Sequence, residues 1–233
     1  LWVLESKDID KLRNKANNVV ITDDYAPLEN FLIPVVRQSA KEFLAGRLLR
    51  DAHQLRDQGK TEKSLEKYHE LLKVNSPDSI RVYNEMAMMQ AAQGRLDEAI
   101  TNLHNAIRFN EQQIKPQNMA TIHNSLAVAY QQKGDNENAR KYYQMSVTGY
   151  QEILAQNPHH IKTLTRLGDA LATLNKFQEA AGYFQKAVEL DPSNLEWHFR
   201  LIQAYEYAGE LDKAIQANKK SLAFFEQYNQ KSQ

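Results

Sequence analysis

The stretch that decides the fold runs from Ile161 to Pro192 and reads IKTLTRLGDALATLNKFQEAAGYFQKAVELDP. Its large apolar residues recur every three or four positions up to Leu171 and again from Phe177, which is the spacing of one face of an α-helix. Asn175 interrupts this pattern and Asp-Pro ends it. The small residues among the large ones, which let two helices lie close together, are Gly168, Ala180 and Ala187. The stretch therefore predicts a helical hairpin.

Related hairpins recur along the chain, as they must, because one hairpin alone cannot bury both of its faces. A two-residue turn is followed five positions later by a small residue at Gln58-Gly59, Gln93-Gly94, Lys133-Gly134, Leu174-Asn175 and Ala208-Gly209. The small residues are separated by 35, 40, 41 and 34 positions and are Ser64, Ala99, Ala139, Ala180 and Ala214. Gly and Asn at the turns predict a left-handed backbone there. Prolines between the hairpins, where a helix must stop, are Pro77, Pro116, Pro158 and Pro192.

This pattern of small and aromatic residues resembles the tetratricopeptide repeat, whose unit has 34 residues. The resemblance implies an all-α fold, a right-handed superhelix of five helical hairpins. We expect the superhelix at 41–233, with repeats at about 45–79, 80–119, 120–160, 161–194 and 195–228. The first hairpin matches less well, because Ser64 and Leu71 replace alanines that the pattern prefers. The greater length of the second and third units predicts longer second helices, and the pattern after Gly134 reaches Gln156.

Residues 1–40 do not fit the repeat. Their pattern predicts a polar helix over Lys7–Asn17, a short strand over Val19–Thr22, and then a helix that passes Pro34. The string ITDDYAPLE at 21–29 resembles the closing segment of spermidine synthase-like (polyamine aminopropyltransferase-like) domains, particularly bacterial ones fused to membrane segments. The resemblance implies that this segment is the remnant of an upstream domain that carries the catalytic part of the parent protein.

The first residue is Leu rather than Met, and we interpret the chain as a piece of a longer protein. The string at 21–29 also has a purely local interpretation. Thr22 or Asp23 caps a helix that begins near Pro27, and the helix dipole favours Asp23 and Asp24 there. This capping role and the resemblance to the enzyme family are compatible with each other.

The composition, 42% hydrophobic and 25% charged, is ordinary for a soluble globular chain. Lys plus Arg and Asp plus Glu number 29 each, which argues against a nucleic-acid partner and a polybasic membrane surface. There is no stretch of eighteen apolar residues. We therefore expect no nucleic-acid binding and no direct membrane contact by this fragment. We also expect a cytoplasmic location, and the resemblance to spermidine synthase-like domains implies a parent protein attached to the inner membrane.

The sequence carries no catalytic pattern. The absence of cysteine excludes disulfides and thiolate metal sites. The seven histidines never pair at the spacing of metal ligands with an acidic helper, and His159-His160 on a turn is not a site by itself. No phosphate loop, nucleophile motif or paired carboxylates occur. We expect no enzyme activity, no metal and no cofactor, and interpret the chain as a binding or scaffolding module for a protein or peptide.

The first helices of such repeats line a concave surface, which is the usual ligand site. The repeat register places Thr165 on this surface, together with the residues of the predicted groove: His53, Asn84, Met88, Asn124, Val128, Gln131, Lys162, Arg166, Asp169, Phe199 and Arg200. Asn84 and Asn124 hold equivalent positions, where an amide can donate to and accept from the backbone of an extended peptide. The alternative is an ordinary solvated polar face.

Some family members bind the C-terminal carboxylate of chaperones through side chains of three repeats, including a Lys/Arg pair one turn apart in the third. Lys162 and Arg166 match that pair. The equivalent places in the two preceding repeats carry Asn84 and Met88, and then Ser125, so the other members are missing. A complete carboxylate clamp is not expected.

Two roles remain open for the basic residues of this face, which are Lys162, Arg166 and Arg200. They can pair with an acidic side chain of a partner, or with Asp169 and Glu196 nearby.

The residues after the last hairpin predict a partly uncovered edge, because a repeat array normally ends in a polar cap. This self-association edge comprises Leu222, Phe225 and Tyr228, and we expect it to dock on another copy, forming a homo-oligomer, or on a missing element. The alternative is that the aromatic residues fold onto the preceding helix. For the whole chain, two functions follow: a module that binds a peptide or protein segment in its groove, or a C-terminal regulatory or oligomerisation appendage of a membrane-linked spermidine synthase-like enzyme.

Overall fold

A computed structural model describes residues 26–74, 78–109 and 116–231. These residues form ten helices, and none of them lies in a β-strand. The helices are α1 Ala26–Asp57, α2 Thr61–Lys73, α3 Ser79–Ala92, α4 Leu96–Phe109, α5 Pro116–Lys133, α6 Asn136–Gln156, α7 Ile161–Thr173, α8 Phe177–Leu190, α9 Leu195–Tyr207 and α10 Leu211–Lys231. Of the helices so described, none combines the length and the apolar character that crossing a bilayer requires.

The chain divides into two compact units, Leu1–Val82 and Tyr83–Gln233. In the first unit α1 packs against α2. In the second unit each helix from α4 to α10 packs against the next one. The core of the second unit is an apolar cluster of residues from α5 to α9, in which Leu164, Leu167, Leu171 and Phe184 are buried. Helices α4 to α10 therefore form a continuous series of packed neighbours within this unit.

The five turns inside the hairpins share one backbone geometry. Their φ angles are 72°, 77°, 84° and 75° at Gly59, Gly94, Gly134 and Gly209, and 60° at Asn175. At every turn the next residue donates its N–H to the carbonyl five positions before it, at 2.9 Å, as Lys176 does to Leu171. This is the bond that closes a Schellman motif. The left-handed backbone predicted for these turns is confirmed.

The close approach predicted for the hairpin at 161–192 is confirmed at Gly168. A β-carbon added there would lie 2.7 Å from the ring of Phe184, which is buried. A second close approach was not predicted from the sequence. It brings Gly149 of α6 against Ala120 of α5, where an added β-carbon would lie 2.9 Å from the alanine β-carbon.

The first hairpin accommodates both of its departures from the repeat pattern. The buried Ser64 Oγ donates a hydrogen bond to the carbonyl of Ala52 at 2.8 Å, so the hydroxyl is satisfied between α1 and α2. Leu71 is completely buried. The larger side chain therefore contributes to the core rather than separating the helices.

The predicted helix length holds for the third unit. Helix α6 has 21 residues, against 14 in α8, and ends at Gln156 as expected. In the second unit, the extension predicted for α4 beyond Phe109 lies outside the described residues. Helix α5 has 18 residues and begins at Pro116. Proline suits the first helical position because the N–H that it lacks would have no partner there.

Helix α1 runs without interruption for 32 residues, with Pro34 inside it, and crosses residue 40. The predicted helix over Lys7–Asn17, the strand over Val19–Thr22 and the caps at Thr22 or Asp23 lie outside the described residues.

Candidate functional site

The predicted groove residues of the second unit lie on α3, α5, α7 and α9. Met88, Val128 and Phe199 are exposed apolar side chains, with exposed fractions of 60%, 36% and 64%. Lys162 and Gln131 are exposed, and the half-buried members are Asn84, Asn124, Arg166, Asp169 and Arg200. Thr165 differs from the expectation. It is buried and donates a hydrogen bond to the carbonyl of Lys162 at 3.3 Å, so it does not belong to this surface.

His53 belongs to the first unit and is described separately. It is half-buried, its ring packs edge-on against Tyr68 with a centroid distance of 6.2 Å, and its Nε2 lies 3.3 Å from Arg81 Nη2. These contacts hold the ring between the helices of the first unit.

An apolar groove lies between α3 and α5, with a volume of about 290 Å³. Alanines, Leu103, Met88 and Val128 line it. Small residues at four of the lining positions, Ala87, Ala91, Ala92 and Ala129, leave this space open. The polar residues at its rim are Asn124, Ser125 and Gln132. The groove can therefore hold an apolar group beside the amides of Asn124 and Gln132.

The two asparagines at equivalent repeat positions have different surroundings. Asn84 Oδ1 accepts a hydrogen bond from Ser125 Oγ at 2.9 Å, and this bond joins α3 to α5. Its Nδ2 donates to Met88 Sδ at 3.8 Å. Asn124 lines the apolar groove and makes no side-chain hydrogen bond to any residue in the described ranges. Its amide is the better placed of the two to bind a peptide backbone.

The basic pair on α7 is partly held by the protein. Arg166 Nη1 donates a hydrogen bond to Thr121 Oγ1 of α5 at 2.9 Å. Burial raises the pKa of Tyr150, whose hydroxyl lies in the same neighbourhood, while Arg166 opposes this shift. Neither Lys162 nor Arg166 forms an ion pair with a carboxylate of the described part of the chain.

The carboxylates of Asp169 and Glu196, near the basic pair Lys162 and Arg166, form ion pairs with Arg200. Arg200 forms ion pairs with Asp169 of α7 and, at 2.7 Å, with Glu196 of α9. Burial raises the pKa of Asp169, and the Arg200 guanidinium counteracts that rise. The predicted pairing with a nearby carboxylate therefore occurs for Arg200. Among the described residues it does not occur for Lys162 or Arg166.

A second pocket, of about 410 Å³, lies at the junction of α5, α7, α8 and α9. Asp169, Arg200 and Gln131 contribute polar groups to it, and Phe177 and Tyr207 stack on each other at 5.2 Å to form an aromatic wall. Neither aromatic residue was predicted to belong to a site. Phe177 is the first residue of α8, the second helix of its hairpin, and Tyr207 is the last residue of α9, the first helix of the next hairpin. The groove was predicted from inner positions of first helices, where neither residue lies.

The predicted self-association edge is only partly exposed. Leu222 and Tyr228 are exposed, whereas Phe225 is half-buried and packs edge-on against His198 of α9 at 5.4 Å. Two residues that were not predicted, Leu211 and Ile215, are also exposed. Because they precede Leu222 by 11 and 7 positions, all three lie along one side of α10.

The described residues contain no group of three or more His, Asp or Glu side chains that could hold a metal ion. The side chains along the first helices offer apolar contact, hydrogen bonding and ion pairing. These are the interactions by which helical repeats bind other chains.

The crystal structure of MamA protein is similar to this chain, with 17% identity, a TM-score of 0.55 and coverage of 80% of this chain and 94% of that one. MamA 41-end from Desulfovibrio magneticus RS-1 has 16% identity, a TM-score of 0.57 and coverages of 79% and 96%. The nearly identical TPR-like repeats of a putative kinesin light chain from Podosopora anserina have 16% identity, a TM-score of 0.60 and coverages of 79% and 95%. At these identities the similarities show the fold alone, and they confirm the predicted all-α repeat fold.

No curated protein matches the sequence. Family models described as tetratricopeptide repeat match residues 78–152, 118–193 and 165–229. The matched ranges contain four of the five hairpins, each closed by the same left-handed turn. The chain belongs to the tetratricopeptide repeat family.

Proposed function

We propose that this chain is a protein–protein interaction module that binds a peptide or protein segment along the first helices of its second unit. The observation that supports this function is the apolar groove between α3 and α5, where Met88 and Val128 are exposed beside the amide of Asn124. Exposed apolar side chains around a concave site are the usual mark of a binding surface.

The groove suits a ligand in extended conformation. Such a peptide presents alternate side chains to opposite sides, so one side chain can enter the groove while its backbone remains at the rim. Burial of one apolar side chain there contributes about 1.5–3 kcal/mol. The Asn124 amide can donate to a backbone carbonyl and accept from a backbone N–H at the same time.

The test is a selection of twelve-residue peptides, displayed on phage, against the immobilised chain. Binders are then compared on the wild type, on a Met88→Glu, Val128→Glu double variant, and on Met145→Glu. Met145 is an exposed methionine of α6, outside the groove, and serves as the matched control. We expect binding to be lost with the double variant and kept with the control. Equal binding to all three proteins would refute a groove function, provided that circular dichroism shows the same helix content.

A second proposal is self-association through α10, and it rests on the exposed side formed by Leu211, Ile215 and Leu222. The repeat equivalents of these residues in α8 are Phe177, Ala181 and Val188, because Ala180 and Ala214 hold the same repeat position. In α8 this side is occupied, since α9 packs against it, Phe177 stacks on Tyr207, and Ala181 is buried.

The same side of α10 thus carries large apolar groups where the repeat normally receives another helix. We propose that α10 of a second copy of this chain packs against this side. Sedimentation velocity of the wild type should show a concentration-dependent dimer, and an Ile215→Glu, Leu222→Glu variant should be a monomer. A wild type that stays monomeric at high concentration would refute this proposal.

Self-association would suit an oligomerisation appendage of a membrane-linked spermidine synthase-like enzyme in the cytoplasm. The support for that parent protein is the resemblance of the string at 21–29 alone. Sequencing the gene upstream of Leu1 tests it: a glycine-rich cofactor turn followed by an acidic residue is expected, and an initiator methionine within a few residues would refute it.

A further inference from the structure

We propose that two copies of this chain pair through α10 in antiparallel orientation, in the register that places Leu211 of one copy against Leu222 of the other. This inference rests on the self-association proposed above, and it adds the orientation of the two helices and the residues that set their register. Because the same surface is used by both copies, the contact closes at a dimer and does not propagate into a filament.

The exposed side of α10 has the spacing of a coiled-coil seam. Leu211, Ile215, Asn218 and Leu222 follow one another at intervals of four, three and four residues, and all four side chains are exposed. Positions that alternate in this way form the line along which two helices pack side by side. Their repeat equivalents in α8, all buried or half-buried, are Phe177, Ala181, Phe184 and Val188.

An antiparallel partner matches this seam layer by layer. When two identical seams run in opposite directions about their common midpoint, Leu211 of one copy faces Leu222 of the second copy, and Ile215 faces Asn218. Both outer layers are then apolar, and the amides lie in the two central layers. A single polar residue within such a seam fixes the register, because a shifted pairing would place the amide against a different apolar layer.

The charges beside the seam favour the antiparallel orientation. Asp212 and Lys219 each follow a seam residue directly, so they lie seven residues apart along one edge of α10, and both are exposed. Among the described residues neither of them forms an ion pair, whereas the neighbouring Lys213 pairs with Glu210. The edge therefore presents one anion and one cation that the chain itself does not neutralise.

An antiparallel pair brings this edge of one copy next to the same edge of the other. In the register given by the seam, Asp212 of each copy lies about 3 Å along the helix axis from Lys219 of the second copy, and symmetry makes this contact twice. A parallel pair would instead place Asp212 beside the opposite edge, where Ala214 and Ser221 are buried and uncharged. Charges beside a seam set the orientation of paired helices in this manner.

The other end of the repeat array does not fit the exposed side of α10. In α9, Leu201 and Ala204 are buried in the core cluster. The residues of α1 at the same repeat positions are Asp51 and Gln54. A head-to-tail stack of two copies would bury a carboxylate and an amide against apolar side chains, which is costly for polar groups without partners. The seam of α10 is therefore matched by its own copy and not by α1.

Disulfide trapping tests the orientation, because the chain contains no cysteine and each introduced thiol is unique. Leu211→Cys and Leu222→Cys are made as separate variants that a tag distinguishes by mass. Mild oxidation of their mixture should give a cross-linked heterodimer, while either variant alone should stay uncross-linked. A parallel pair predicts cross-linked homodimers of each variant alone. Leu190→Cys, at an exposed leucine of α8, is the matched control and should not cross-link with either variant.

Charge exchange provides a second test that leaves the apolar seam intact. In sedimentation velocity, Asp212→Lys and Lys219→Asp should each weaken the dimer about tenfold, because like charges then meet twice across the interface. The double exchange Asp212→Lys, Lys219→Asp should restore wild-type dimerisation. Lys220→Asp makes the same change in net charge away from the edge, and it should alter the dissociation constant by less than about twofold.

The outcomes separate the inference from the self-association itself. A wild type that forms no dimer, or a dimer that survives Ile215→Glu, Leu222→Glu, would overturn both. A dimer that this variant abolishes would still overturn the inference alone if each single-cysteine variant cross-links with itself. The inference would equally fail if the double charge exchange did not restore the dimer, or if Lys219→Asp and Lys220→Asp weakened it to the same extent.

Discussion

Gly168 of α7 and Phe184 of α8 lie so close that a β-carbon on the glycine would stand 2.7 Å from the phenyl ring. The contact holds two helices of one hairpin together inside the core of the second unit. The phenyl ring is buried, so a β-carbon on the glycine would force it out of its present packing.

Gly168→Ala is therefore expected to destabilise the protein by about 1–3 kcal/mol through overpacking. This net loss occurs even though alanine favours a helix over glycine by about 1 kcal/mol. Gly182→Ala in α8 is the matched control, because an added β-carbon there meets nothing within 4 Å. It should stabilise the protein by up to about 1 kcal/mol. Urea unfolding followed by circular dichroism measures both effects, and equal midpoints for the two variants would contradict the packing argument.

Asn175 is the residue other than glycine with a positive φ, 60°, in the described part of the chain. Asn175→Ala should cost about 1 kcal/mol, because an ordinary side chain disfavours the left-handed region. Asn175→Gly should be neutral or slightly stabilising, as at the four turns that already contain glycine. Thermal unfolding of the two variants checks this order, and the reverse order would contradict a cost of the left-handed backbone at this turn.

His104 and His123 make stability depend on pH. Burial lowers the pKa of both, and the nearby Arg108 lowers the pKa of His104 further. Both rings pack on Tyr142, and His104 Nε2 lies 3.4 Å from the hydroxyl of Tyr130. The unfolded chain then binds protons that the folded one excludes, so stability is complete above about pH 6.5 and decreases as the pH falls through the lowered values.

Urea midpoints of the wild type should accordingly decrease between pH 7.5 and pH 5. His123→Phe keeps an aromatic ring against Tyr142 but cannot be protonated, and its midpoint should depend less on pH. A pH dependence identical to that of the wild type would assign the effect to other groups.

The ion pair between Arg200 and Asp169 gives a prediction with the opposite sign of pH dependence. Burial raises the pKa of Asp169, and Arg200→Gln removes the guanidinium that opposes this rise. The carboxylate is then left without its partner when it is ionised, and protonation in acid relieves the cost. Arg200→Gln should therefore destabilise the protein more at pH 8 than at pH 4.5, by about 1 kcal/mol or less in view of the partial exposure of the pair. Asp169→Asn should show little such pH dependence, since it removes the titrating group. Equal destabilisation by Arg200→Gln at both pH values would argue against the role of this pair.

The hairpins, their turns and their order could be predicted from the sequence because each depends on local chemistry. Apolar spacing specifies a helix face, and a glycine or asparagine at φ near 60–84° ends one helix and allows the next to begin. These signals recur at five places, so an error at one position does not change the fold.

Predictions that required contacts between helices were less complete. Thr165 faces the core rather than the groove, and Phe225 packs against His198. In both cases the burial of the side chain depends on neighbouring helices, which the apolar spacing within one helix does not specify.

The sequence by itself determined the repeat fold of this protein, the positions of its turns and the helices that carry its groove, because backbone preferences and apolar periodicity act over a few residues. Only the tertiary structure decided which cations remain available. Arg200 reaches across to Asp169 and Glu196, while Lys162 and Arg166 keep no carboxylate partner among the described residues. That difference depends on distances between side chains of separate helices. The packing of α5, α7 and α9 sets these distances, and the sequence pattern of a single helix does not predict them.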